Sequence, residues 1–372
     1  MAKFIKDTIL TSFTHFLKLI LGIISSIIIA RTLGPEGKGL YSLAVLLPSF
    51  LIVCTQFGIG PASVFYIGKK KYSAKEVFSI NIIFSFIISL IAVIVGLVII
   101  FFFAEKAFPG VNKHYLILSL FIIPFQIFLT FAIDVLLGLQ DIKNYNLIQL
   151  SRTGFYLFLI IILLLGFKFG VVGVILAEIL SLLMGCIVLF LYTQKKVGGV
   201  HFSYQKNILK DFISYGSKIY LGNIATYFFL RIDMWMINLF LKNSIAVGFY
   251  SIAVTLAEQI WIISQSAGTI LLPRVSSENN EKQLKEFTPI VCRNILFLTV
   301  IISFILFLSG RWLIILLYSK KFLQSVASFQ ILLIGGIAVA GGRILTNDLF
   351  GRGKPMVNTY IAIIAMLLNI VL

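Results

Sequence analysis

Eight charged side chains lie inside long apolar runs of this sequence: Lys18, Asp134, Glu178, Arg231, Asp233, Glu258, Arg343 and Asp348. A charge near the centre of a bilayer costs about 2.5–3.5 kcal/mol on insertion scales, so such groups turn to a partner or to a wet cavity. Arg231 and Asp233 sit two apart in Leu230-Arg-Ile-Asp-Met-Trp-Met236. At about 100° per residue they point to opposite faces of a helix. Lys218 and Asp233 are fifteen apart, roughly 60° around, and share a stripe. Arg and Lys are the natural partners of phosphate, so Lys18, Arg231, Lys218 and Arg343 are expected to hold a diphosphate group. The carboxylates Asp233 and Glu258 suit coupling to protons or Na⁺; a dry site raises a carboxylate's pKa. The competing reading is helix–helix glue, which stays open for Glu178, Asp134 and Asp348. Arg152, Lys218 and Arg293 lie near enough to segment ends to snorkel. Trp235, Trp261 and the many Phe read as packing and interface anchors.

The elements that position these charges follow from composition. Of 372 residues, 59% are apolar and only 12% are charged. Mean hydropathy is +1.04. These values exclude both a soluble globular domain and a disordered chain. A spanning helix uses roughly 20 apolar residues. Eleven such segments are predicted, near 8–30, 40–61, 76–103, 115–137, 147–166, 170–193, 213–241, 247–270, 288–309, 326–349 and 357–372. The last is short and the chain stops inside it, so a twelfth helix is expected to be missing. The fold class is all-α and polytopic.

Other chemistries find no support. Cys54, Cys186 and Cys292 have no paired spacing, and the three His are scattered, so neither disulfides nor a metal centre is indicated. Gly34-Pro-Glu-Gly-Lys-Gly39 matches neither nucleotide-binding glycine pattern. No cofactor and no enzymatic site is expected, and no cleavable leader. The net charge of +17 lies mostly in short loops, a topological signal and not a nucleic-acid footprint. With the N-terminus inside, inner stretches carry 16 Lys/Arg and outer ones 9, Arg31 and Lys38 among the latter. The excess places the N-terminus in the cytoplasm.

The organisation expected is an N-terminal six-helix bundle over 1–195, a basic cytoplasmic linker over 196–212 with an amphipathic segment lying on anionic headgroups, and a C-terminal bundle over 213–372. An internal repeat supports it. Gly39-Leu-Tyr-Ser-Leu-Ala-Val-Leu-Leu47 and Gly248-Phe-Tyr-Ser-Ile-Ala-Val-Thr-Leu256 are identical at six of nine positions, at an offset of 209. A weaker echo relates Asp134 and Gly138 to Asp348 and Gly351. Six segments separate the copies, so they share orientation and are related by an axis along the membrane normal. Two bundles so related enclose a cleft, and rocking them gives alternating access.

These residues resemble a known family. Ala30-Arg-Thr-Leu-Gly-Pro-Glu-Gly-Lys-Gly-Leu-Tyr-Ser-Leu-Ala44 is similar to the opening signature of polysaccharide (Wzx-type, O-antigen) flippases of the multidrug/oligosaccharidyl-lipid/polysaccharide superfamily. Arg231-Ile-Asp233 with Val247-Gly-Phe-Tyr-Ser251, Leu272-Pro-Arg274, Leu317-Tyr318 with Phe322, and Gly351-Arg-Gly-Lys354 resemble later parts of that pattern. The resemblance implies a two-lobed fold like that of multidrug and toxin extruders. It implies movement of polyprenyl-diphosphate-linked oligosaccharide from the inner to the outer leaflet of a plasma (inner) membrane. Partners would be membrane lipids, with glycosyltransferases and a polysaccharide polymerase along the same route. Two alternatives are a cation-coupled drug exporter of the same superfamily and a membrane-bound sugar polymerase or ligase. The first should have an acid-dominated cleft and the second a long polar outer loop.

Overall fold

The structure, a computed structural model, describes residues 2–200, 206–277, 281–352 and 355–371. Thirteen α-helices carry the fold: α1 (Ala2–Thr55), α2 (Ile59–Gly68), α3 (Ala74–Ala107), α4 (Lys113–Leu120), α5 (Ile122–Gly138), α6 (Ile142–Ile160), α7 (Gly170–Val197), α8 (Lys206–Leu241), α9 (Ser244–Ala257), α10 (Trp261–Ser277), α11 (Glu281–Tyr318), α12 (Ser325–Gly351) and α13 (Pro355–Val371). No strand occurs among the described residues. Nine helical stretches among them are long and apolar enough to cross a membrane, and Met356–Val371 is a shorter apolar helix. Helices suit this medium because each satisfies its own backbone hydrogen bonds.

The longest stretch, Ile9–Thr55, has 47 residues, about 70 Å at ~1.5 Å per residue and over twice the hydrocarbon thickness. It divides at Gly34, which alone leaves helical geometry (φ 68°, ψ −176°). Pro35 then opens the second half, a place where its missing N–H costs nothing. The expected outer loop around 31–39 is therefore a single-residue break, and not all of its charges are free. Lys38 is buried, and Arg31 donates to the carbonyls of Leu316 and Leu317 at the end of α11.

Polar caps start several of the remaining helices. Ser73 and Glu76 form a reciprocal capping box on α3. Asn112 caps α4, Asp141 caps α6 and Asn243 caps α9. Large side chains such as Phe86, Phe102, Phe240 and Trp312 point outward, as a lipid-facing surface requires.

The helices pack as two pseudo-symmetric bundles. Leu43, Leu47, Ile127, Phe131 and Leu136 belong to one core; Ile252, Ile314, Tyr318, Phe329 and Leu333 to the other. The bundles meet where α1 crosses α9, and the contact follows the repeat. A Cβ on Gly39 would overlap the carbonyl of Ser244, and one on Gly248 would overlap the carbonyl of Pro35. Ser244 and Gly248 are Pro35 and Gly39 moved by 209, so each copy contributes the same pair of sites, the signature of a two-fold relation. The same register governs the flanks. Trp235 Nε1 donates to Ala107 O at 2.7 Å. Its counterpart joins Ser26, 209 before Trp235, to Tyr318 Oη at 3.3 Å, beside Leu316, which is Ala107 moved by 209.

The opposite end is not symmetric. Gly58 (φ 67°) and Gly216 lie backbone against backbone. Phe57 stacks on Tyr220 at 5.0 Å, and Tyr66 on Phe212 at 5.5 Å. Asp211 pairs with Lys71 and accepts from Tyr72 at 2.6 Å. Those donors hold its carboxyl below the ordinary range. The mate of this seam would join the start of α1 to α10, yet the principal neighbours of α10 are α11 and α12 in its own bundle. The amphipathic segment expected on lipid headgroups is thus the first turns of α8. Its apolar residues Ile208 and Phe212 are buried with the core of the first bundle.

The seam gives a stability test. Gly248→Ala drives a methyl into the Pro35 carbonyl and should cost about 1–3 kcal/mol, as overpacking does. Gly154→Ala, with nothing within 4 Å, should be neutral. Melting temperatures in detergent distinguish them; equal melting of both variants would remove the seam as a tight contact.

Candidate functional site

The buried charges gather in two clusters, one in each bundle. In the second bundle α8 brings Arg231 to Glu258, which sits in a 3₁₀ turn between α9 and α10. The pair is bidentate, Nη1–Oε1 2.6 Å and Nη2–Oε2 3.1 Å. Both side chains are less than a third exposed. Asp233 points the other way, as the spacing requires. One of its oxygens accepts from the Tyr250 hydroxyl, and the other, Oδ1, is buried with no hydrogen-bond partner. Arg343 on α12 makes no ion pair among the described residues; its guanidinium lies 4.6 Å over the Trp261 ring, within Coulombic reach of Glu258. Trp261 Nε1 is likewise buried and unpartnered. Lys218 lies on α8, but its side chain is outside the described residues.

In the first bundle Lys18 is half-buried and has no acidic partner among the described residues. Its charged neighbour is a second cation, Arg152 of α6. Arg152 reaches Glu178 of α7 only at 3.6 Å, and its Nε is buried without a partner. Next to them Tyr41 and Tyr156 share a hydroxyl–hydroxyl hydrogen bond of 3.1 Å. Asp348 is also answered: Thr288 donates at 2.7 Å and Arg352 chelates it at 2.7 and 3.2 Å. Asp134 rests against Gly60.

The balance of charge differs between the clusters. In the second bundle Arg231 and Arg343 meet Glu258 and Asp233. In the first, Lys18 and Arg152 meet only Glu178. Among the described residues, the positive excess that the sequence divides between the bundles thus lies in the first. Arg152, read as a snorkelling end residue, is the principal group missed. A signal for it existed: Tyr145, Gln149, Arg152 and Tyr156 recur at helical spacing and fall on one stripe. Among the described residues no cluster of His, Cys, Asp and Glu could hold a metal ion.

Removing one member of a buried ion pair leaves the other uncompensated, at a cost of about 3–5 kcal/mol, whereas an apolar pair in its place is often neutral. Arg231→Met and Glu258→Met should each lower the melting temperature, and the double variant should recover most of the loss. Additive losses in that cycle would show that the two charges do not stabilise each other.

The family model described as polysaccharide biosynthesis protein matches residues 4–279, and the one described as MatE matches residues 219–372. No curated protein matches the chain. The fold is similar to solved transporters. An inward-facing conformation of a multidrug resistance MATE family transporter of the MOP superfamily is 17% identical with a TM-score of 0.73, over 94% of this chain and 84% of that one. An outward-facing conformation of such a transporter is 16% identical with a TM-score of 0.66, over 98% and 86%. A MOP superfamily transporter from Pyrococcus furiosus, described as having a binding pocket of reverse polarity, is 17% identical with a TM-score of 0.61, over 96% and 84%. These likenesses concern the fold. The chain belongs to the polysaccharide biosynthesis protein family, built on the fold of MOP-superfamily transporters.

Proposed function

We propose that this transporter moves oligosaccharide linked to polyprenyl diphosphate from the inner to the outer leaflet of a plasma (inner) membrane. The N-terminus is on the cytoplasmic side. Glycosyltransferases supply the substrate and a polysaccharide polymerase consumes the product. The two halves, 1–195 and 213–372, rock against each other. The observation that carries this reading is the cation excess of the first bundle, where Lys18 and Arg152 lie within Coulombic reach of each other and one acid, Glu178, pairs with Arg152 at 3.6 Å. Neighbouring like charges in a half-buried site are relieved by an anion, and a diphosphate offers several acceptor oxygens to such donors. Arg343, with no ion pair among the described residues, and Lys218 add cations from the second bundle.

A second reading, export of organic cations, draws on the second bundle, where Asp233 keeps a buried oxygen without a partner. We give that oxygen to an ion instead. Both oxygens of Glu258 are occupied by Arg231, so Asp233 is the better carrier of a coupling proton or Na⁺.

Reconstituted vesicles decide between these readings. A fluorescent polyprenyl-diphosphate saccharide should be flipped, and a lipophilic cation should not. Lys18→Ala and Arg152→Ala should each slow flipping at least tenfold at unchanged protein level. Movement of the cation alone would replace the proposal with drug export. In the same vesicles an imposed pH gradient should accelerate the parent and Glu258→Gln but not Asp233→Asn. Gradient-independent flipping by the parent would leave both acids as structural partners.

A further inference from the structure

Among the described residues two charged side chains are fully buried, Asp348 and Lys38. Asp348 is answered by Thr288 and Arg352. Lys38, only 7% exposed, has no hydrogen bond and no ion pair among those residues; its ammonium lies 5.3 Å over the face of Tyr41. An aromatic face offsets only part of what a buried cation loses in leaving water. The repeat supplies an internal control. The position 209 residues on is Val247, fully buried in the second copy of the same element. Packing at this place in the fold is therefore met by a valine, and the lysine serves something other than packing.

Its position says what. Lys38 immediately precedes Gly39, whose backbone lies on Ser244 and Gly248 of the other bundle. With the bundles closed along this seam Lys38 is covered. When they part, α9 leaves the Gly39 backbone next to it. We propose that Lys38 is an anion-binding residue of the seam-open state, meeting the phosphate groups of the transported molecule at the Gly34 end of the cleft. The site is distinct from the Lys18 and Arg152 cluster. It rests on the reading that the substrate is a lipid diphosphate. Lys38 is then a substrate contact on the far side of the passage, hidden until the cleft opens there. Exposing it on opening relieves its burial, and an anion bound beside it stabilises the open form.

Two measurements test this. In reconstituted vesicles Lys38→Val, which copies the second repeat, should melt no lower than the parent yet flip a fluorescent polyprenyl-diphosphate saccharide at least tenfold more slowly. Lys38→Arg should stay within about threefold of the parent. Parental flipping by Lys38→Val overturns the proposal. Independently, amine-reactive footprinting of the purified parent, read by mass spectrometry, reports on Lys38 directly. Inorganic pyrophosphate should slow its labelling at least threefold while leaving Lys106 and Lys242 unchanged. Absence of labelling at Lys38, or labelling unaffected by pyrophosphate, overturns it. Equal protection by glycerol phosphate would assign the site to bulk lipid headgroups and overturn it too. A parent that moves no diphosphate lipid defeats the substrate reading, while the footprint still judges Lys38.

Discussion

The approach of two glycine backbones, Gly39 and Gly248, organises this molecule. Without side chains on either residue, α1 and α9 come close enough for each to press on the carbonyl of the other's first turn. In lipid, where apolar side chains have no hydrophobic reason to prefer one another over hydrocarbon, such close packing of small residues is the main attraction between helices. Because the two residues are equivalent positions of a repeat, their contact fixes the axis that relates the bundles. The flanking hydrogen bonds from Trp235 and from Arg31 then fall into register. They satisfy Ala107, Leu316 and Leu317 at helix ends, where the last carbonyls lack intrahelical partners.

This organisation was largely legible in the sequence, for identifiable reasons. Helices in hydrocarbon need length and apolarity, and both are visible residue by residue, so the eleven segments were locatable. The glycine–tyrosine–serine repeat was visible because close backbone contact tolerates so few residue types. The opposite directions of Arg231 and Asp233 followed from helical geometry alone. What escaped were features set by tertiary contact. Lys38 looked like a loop charge because hydropathy cannot show that only Gly34 leaves the helix. The linker's apolar residues looked ready for a membrane surface because nothing local shows that Ile208 and Phe212 join the core of the first bundle. Arg152 looked free to snorkel because Glu178 and Lys18 approach it only in the folded bundle.

The two copies share a backbone but not a charge pattern. Duplication supplied equal frames, and the polar residues then diverged. One frame holds two cations to one acid and a phenol pair; the other holds a chelated arginine and a carboxylate with one idle oxygen. Ion pairs inside a membrane are expensive to leave unmatched. The unmatched charges therefore mark where the frames differ, and matched ones such as Arg352 with Asp348 mark where a frame is held together.

The helix α8 is fastened to the first bundle at both of its ends, by Trp235 at one and by Asp211 at the other. Between those points it is paired to Glu258 and lies along α13. A single helix of 36 residues, about 54 Å at ~1.5 Å per residue, cannot follow two separating bodies at once. Relative motion of the bundles then turns around it, as leaves turn around a hinge pin, and the wider displacement falls on the side away from it. A cleft opening in that manner is wedge-shaped, broad at one lateral edge and shut at the other. On the function proposed above, the polar head of the lipid-linked saccharide would pass through the wedge while its tail stays in the lipid at the open edge.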